Sequence, residues 1–152
     1  MKKFLNILFA TLPVIVVAVL GSVFVNIGMD WFNTLNRPTD WVPNVVIPIV
    51  WTVIYITTAT ILFLWISKEP MPLSTKILFI VNGVLNVLWC LTFFTLQLKL
   101  IGLIVILLNL AFAVYLIIDI FKTKPIYAKI LLIYPAWLTI ATCLNLAIWI
   151  LN

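Results

Sequence analysis

Apolar residues run through this chain in long blocks, and polar ones gather between the blocks. Five stretches, 4–25, 45–66, 77–98, 100–118 and 130–151, hold no charged residue. As a helix, each can cross the roughly 30 Å hydrocarbon core, which needs about 20 apolar residues. Barrel strands would be shorter and would alternate polar with apolar positions, which these blocks do not do. The pattern predicts an all-α integral membrane protein, a five-transmembrane-helix bundle forming a single domain over 1–152. Its helices should cover about 4–26, 45–66, 77–97, 100–120 and 130–151, with a long connection at 27–44. Lys2 and Lys3 before the first block suggest a signal peptide, but the block is too long and lacks a cleavage site, so it reads as a retained helix.

Composition agrees. Of 152 residues, 66% are apolar and 9% charged, whereas soluble domains run at about 45–50% and 25%. The net charge of +5 is scattered between blocks, which argues for topology and against a nucleic-acid partner. Seven basic residues (Lys2, Lys3, Lys68, Lys76, Lys122, Lys124, Lys129) fall on one side and two (Arg37, Lys99) on the other. The richer side stays cytoplasmic, so a multi-pass protein of the cell (inner) membrane is expected, N-terminus cytoplasmic and C-terminus outside. With no histidine, His-ligated metal or haem and a Ser-His-Asp triad are excluded, and no metal site is expected. Cys90 and Cys143 both lie inside apolar blocks with no C-x-x-C, which favours packing over redox chemistry.

The spans lack the ionisable residues that ion-coupled transport needs; Asp119 alone sits near one, at its end. They carry tryptophan instead. Trp65 and Trp149 at span ends fit an interfacial belt. Trp51, Trp89 and Trp137 lie about 10 Å or more inside, where an indole N–H wants a partner; they either line a pocket or pack the bundle. Asn82, Asn86, Trp89 and Phe93 share one helix face, as do Trp51, Tyr55 and Thr58. Buried Asn82, Asn86, Asn109 and Asn145 suit interhelical hydrogen bonds, worth about 1 kcal/mol each, or contacts to a flat, largely apolar ligand. The connection from Trp31 to Trp51 is long, stiffened by Pro38 and Pro43, and is either a lid over a pocket or a packed interfacial loop.

Three segments resemble the TspO/MBR family of tryptophan-rich sensory and translocator proteins. They are Trp31-Phe32-x-x-Leu35-x-Arg37-Pro38 continuing to Pro43, Trp51 and Tyr55; Asn86-x-x-Trp89-Cys90-x-x-Phe93-Phe94; and Trp137-x-x-x-Ala141-x-x-Leu144-Asn145-x-x-Ile148-Trp149-x-Leu151-Asn152. The chain departs at Phe32 (usually Tyr), Trp41 (one position late), Val42 (usually Pro), Cys90 (usually Ser) and the short Pro135–Trp137 spacing. The resemblance implies a five-helix bundle, often a homodimer, binding porphyrins or other tetrapyrroles under the first loop, 27–44, as lid. By matching position the ligand-binding candidates are Phe32, Pro43, Trp51, Tyr55, Asn86, Trp89, Cys90, Trp137, Ala141 and Leu144. No cofactor is required; a porphyrin or haem-type tetrapyrrole, or another apolar small molecule, would be the ligand, with the lipid bilayer and a second copy as partners. A sensory or regulatory role is expected. The alternatives are light-dependent porphyrin degradation, with Trp51 and Trp137 as donors, and tetrapyrrole or sterol transport. For self-association, Ala18-x-x-x-Ser22 is a small-x-x-x-small pattern.

Overall fold

The computed structural model describes the backbone from Lys2 to Asn152, and side chains at Leu8 and from Thr11 onward. The side chains of Lys2 and Lys3, counted above toward orientation, lie outside the described residues. The helices are α1 (Lys2–Thr34), α2 (Val46–Lys68), α3 (Leu73–Cys90, continued by a π-helical turn, Leu91–Thr95), α4 (Lys99–Phe121), α5 (Pro125–Leu131) and α6 (Ile133–Leu151). Five spans in these helices are long and apolar enough to cross a membrane, α5 and α6 together making the fifth. The fold is the expected all-α, five-span membrane bundle.

Three departures shape the site. First, α1 runs on to Thr34, so Trp31 and Phe32 stand on its last turn and the connection shrinks from 27–44 to 35–45. Asp30, Asn33 and Thr34 give this stretch the composition of a loop, but polar residues stay helical at a membrane surface, where water solvates them. The Thr34 hydroxyl also donates to the Trp31 carbonyl at 2.7 Å. Second, the helical hydrogen bonding of the fifth span is interrupted at Leu132, whose backbone stays in the helical region. Pro135 has no N–H for the Leu131 carbonyl, and helical bonding resumes with Ala136 N–H to Leu132 C=O at 3.1 Å. Third, α3 ends in the π turn, where the Leu96 N–H reaches back five residues to Leu91 C=O at 2.9 Å. The extra residue per turn brings both Phe93 and Phe94 into the core, and such turns recur at functional sites. Gln97, at φ 57°, reverses the chain into α4.

This π turn is gripped from both sides by glycines. A Cβ at Gly28 of α1 would lie 2.8 Å from Phe94 Cα, and one at Gly102 of α4 would lie 2.8 Å from Phe93 Cβ. No side chain fits at either place. The Thr95 hydroxyl also donates to the Phe24 carbonyl of α1 at 2.9 Å.

The core has two large centres and a smaller group of Val42, Ile54 and Trp137. At the lysine-rich end, Trp65 is 1% exposed and packs with Met71, Leu78, Ile120 and Leu131, its ring 5.8 Å from Tyr127. It is a core residue and not the interfacial belt residue its span-end position suggests. Polar ties close this end: Asp119 accepts from Thr75 at 2.7 Å and Ser74 at 3.3 Å, and Lys124 pairs with Glu69. At the other end, Phe32, Trp89, Phe93, Phe94, Leu103, Ile106, Leu138 and Ile148 form the second centre.

Candidate functional site

The aromatic candidates meet where α2, α3 and α6 face one another. Trp51 of α2 is the hub. Its ring stacks on Tyr55 (centroids 5.7 Å, planes 26° apart), one turn along the same helix, and lies 5.9 Å from Trp89. Trp89 in turn stacks on Phe93 at 6.2 Å and meets Phe94 edge-on at 5.6 Å. Edge and offset geometries of this kind add about 0.5–1.5 kcal/mol per pair beyond the area buried.

Polar side chains join the helices behind the rings. Trp89 Nε1–H donates to Asn145 Oδ1 at 3.2 Å, linking α3 to α6. The Tyr55 hydroxyl donates to Asn86 Oδ1 at 3.1 Å, linking α2 to α3. The Tyr134 hydroxyl donates to Asn109 Oδ1 at 3.0 Å, linking α6 to α4. Three of the four buried asparagines therefore make the interhelical bonds expected of them. Asn82 differs in that its Nδ2 donates to Leu78 C=O of its own helix at 2.8 Å; among the described residues its Oδ1 has no partner, and neither do Asn86 Nδ2 and Asn109 Nδ2. Trp137 Nε1 is also buried without a partner among the described residues.

Two spaces open around Trp51, and it walls both. The smaller, about 30 Å³, lies among Phe32, Trp51, Trp89, Trp137, Ala141 and Leu144. It is large enough for about one water. Six of the ten candidate residues thus gather around a space that their own side chains fill. Trp137 packs with Val42 and Ile54, and Trp51 lies against the same cluster, which brings the two tryptophans to one place. The larger space, about 850 Å³, lies in the other half of the bundle, between α1, α2 and α3, and reaches α4, α5 and α6. Trp51, Tyr55 and Asn86 form one end of it. Its volume is in the range that holds a whole organic ligand, about 300–1,000 Å³.

Two candidates line neither space. Pro43 is exposed in the connection, where its carbonyl accepts from Val46 N–H at 2.9 Å at the entry to α2. Cys90 is buried against α1, its Sγ 3.4 Å from where a Cβ on Gly21 would be. Most of the larger space is invisible to sequence reasoning. Thr58 shows only a shared helix face with Trp51 and Tyr55, while Leu62, Ile66, Phe79, Gly83 and Leu131 carry no signal beyond apolar or small character. Beyond the end formed by Trp51, Tyr55 and Asn86, Asn82, buried and polar at helical spacing from Asn86, is a marker on its wall.

The connection 35–45 closes the end above the small space. Val42 is buried beneath it, whereas Trp41 is 64% exposed. The Arg37 guanidinium sits 4.2 Å above the Phe32 ring and donates to Asn44 Oδ1 at 2.8 Å. Asn36 and Asn152 exchange two hydrogen bonds, Asn36 N–H to Asn152 Oδ1 at 2.9 Å and Asn152 Nδ2 to Asn36 C=O at 3.0 Å. This pair latches the connection to the end of α6. Asn152→Ala should raise amide hydrogen exchange at Asn36 about tenfold, the size of one to two net hydrogen bonds, while α4 exchanges as before. Unchanged exchange at Asn36 would show that the latch does not hold the connection.

These features define a polytopic helical membrane protein with an intramembrane cavity walled by aromatic and aliphatic side chains. The chain belongs to the TspO/MBR family, whose sequence profile matches residues 9–150. It is similar to a tryptophan-rich protein TspO of Archaeoglobus fulgidus, 28% identical over 151 residues, which is 97% of each chain. A tryptophan-rich protein TspO of Chlorobaculum tepidum is 29% identical over 136 residues, 87% of this chain and 86% of its own. The protein CrtK of Rhodobacter capsulatus is 29% identical over 127 residues, 80% of this chain and 78% of its own.

Proposed function

We propose that this protein is a membrane-embedded sensor that binds a tetrapyrrole, or a flat apolar molecule of similar size, within the bundle. The observation that carries this reading is the cavity of about 850 Å³ with the stacked Trp51–Tyr55 pair and the Asn86 amide at one end. Apolar walls favour a hydrophobic body, the stacked rings offer it a face, and the amide sets its orientation. The lysine-rich end is taken to be cytoplasmic, by the charge bias of its connections.

The test is a dark titration with protoporphyrin in nanodiscs, read by tryptophan quenching. Saturable binding is expected. Trp51→Phe should weaken it about three- to tenfold, the worth of a lost stacking face. Trp137→Phe, whose ring touches only the small space, should leave it nearly unchanged. Equal weakening by both would place the ligand in an opened small space instead. Non-saturable quenching, the same in the variants and in empty discs, would overturn the reading. Illumination of the saturated complex then separates the catalytic alternative: loss of porphyrin absorbance faster than in empty discs would add degradation to binding.

A further inference from the structure

The larger cavity is not uniformly apolar: besides Tyr55, Thr58, Asn86 and Tyr134, its wall carries Lys76 and Asn82. Near the lysine-rich end, Lys76 is part of its wall. Lys76 has no ion pair among the described residues, and both carboxylates of that end are engaged elsewhere, Glu69 by Lys124 and Asp119 by Thr75, Ser74 and Lys122. Deeper in, Asn82 is 4% exposed and also lines the cavity, with an Oδ1 that accepts no hydrogen bond among the described residues. An unsatisfied acceptor at such depth costs about 1–3 kcal/mol, which a ligand donor would recover. Six residues of helix separate the two, about 9 Å along α3.

The wall also shows where a ligand enters. Leu12 and Val16 of α1 and Ile80 and Val84 of α3 line the cavity and are exposed on the outside of the bundle, whereas the α2 side chains lining it are not. The opening therefore lies along the α1–α3 seam, at the level of the acyl chains. Lys76, in the first turn of α3, stands at the rim, where a lysine holds its charge near the headgroups.

We propose that this cavity admits, from the bilayer between α1 and α3, a single-chain acidic amphiphile whose carboxylate pairs with Lys76 and whose apolar body carries a hydroxyl or N–H donor to Asn82. The inference rests on reading the cavity as a ligand site, not on the ligand being a tetrapyrrole.

Parinaric acid and its methyl ester test it, titrated into nanodiscs of phosphatidylcholine and read by energy transfer from tryptophan. The acid should bind wild-type protein about tenfold more tightly than the ester, the size of one charge-assisted hydrogen bond. Lys76→Gln should erase that preference and Lys76→Arg should keep it. Lys68→Gln, at the same end but outside the cavity wall, should leave it intact and so exclude a general surface-charge effect. In displacement of the acid, a mid-chain hydroxystearate should outcompete stearate on wild type and lose that advantage in Asn82→Leu. Equal binding of acid and ester, a preference that survives Lys76→Gln, or no saturable binding of either overturns the proposal. Its failure beside saturable protoporphyrin binding leaves the tetrapyrrole reading standing. Lys76-dependent acid binding without protoporphyrin binding does the reverse.

Discussion

Gly28→Ala should be the most damaging single methyl added to this bundle, lowering the melting temperature by about 10 °C. The added carbon would overlap the Phe94 carbonyl and come within 2.8 Å of its Cα. Backbone atoms cannot rotate aside as a side chain can, so α1 must shift away or the π turn must rewind. Overpacking of this kind costs about 1–3 kcal/mol, and the upper end applies when the obstacle is backbone. In a domain of this size each kilocalorie is worth about 2–4 °C. Gly21→Ala is the matched control. It lies two turns earlier on α1, and its Cβ would meet Cys90 Sγ at 3.4 Å, the Tyr55 hydroxyl at 3.8 Å and Asn86 Oδ1 at 3.9 Å, all ordinary contacts. That variant should be unchanged or slightly stabilised, since alanine favours a helix interior over glycine by up to about 1 kcal/mol. Thermal unfolding in detergent, followed by the fluorescence of tryptophans near the turn, reads both. Equal melting temperatures for the two variants would mean that the π turn is not clamped by α1.

The consequence reaches the small space. Phe93 and Phe94 both enter the core because of the π turn, and they press on Trp89, Phe32 and Trp31. The aromatic collapse around Trp51 thus depends on a backbone irregularity fixed by two glycines on other helices. Nothing near residues 91–95 marks it: the segment is Leu-Thr-Phe-Phe-Thr, without glycine or proline. The signal is in the partners, Gly28 and Gly102, and only the packing shows what they accommodate. The five spans, in contrast, are plain from the charge-free blocks, because crossing a membrane leaves little freedom in length or composition. The Asn82–Asn86–Trp89–Phe93 face of α3 is also legible, since polar and aromatic residues repeating at helical spacing inside an apolar span must turn toward partners and away from lipid. The end of α1 is not, because Asp30, Asn33 and Thr34 read the same in a solvated helical turn as in a loop. The larger cavity is the least visible feature. Leu62, Ile66, Phe79 and Leu131 have the same chemistry whether they touch another side chain or an empty volume, and a void is a property of the arrangement.

Thr58→Trp should abolish most ligand binding while leaving the bundle as stable as before or more so. Thr58 is on the cavity wall, one turn from Tyr55 and one turn from Leu62, so an indole there projects into the middle of the space. A ligand already filling the cavity would be overpacked by about 1–3 kcal/mol, a loss of about fivefold to more than a hundredfold in affinity. The empty protein has the opposite response. Filling a void restores contacts that its lining lacks, and cavity-filling substitutions commonly add about 0.5–2 kcal/mol. A variant that binds poorly because it is misfolded cannot show both effects, so the melting temperature and the protoporphyrin titration are read on the same preparation. Ala141→Phe supplies the contrast at the small space, where Ala141 faces Trp89 and Trp137 and stands clear of the larger cavity. If the ligand occupies the larger cavity, Ala141→Phe spares binding and Thr58→Trp removes it. The reverse pattern would mean that the aromatic cluster parts to admit the ligand, with the larger cavity serving another molecule or none. Trp51 would then act as a movable partition between the two spaces, since among the described residues it is the one ring that walls both.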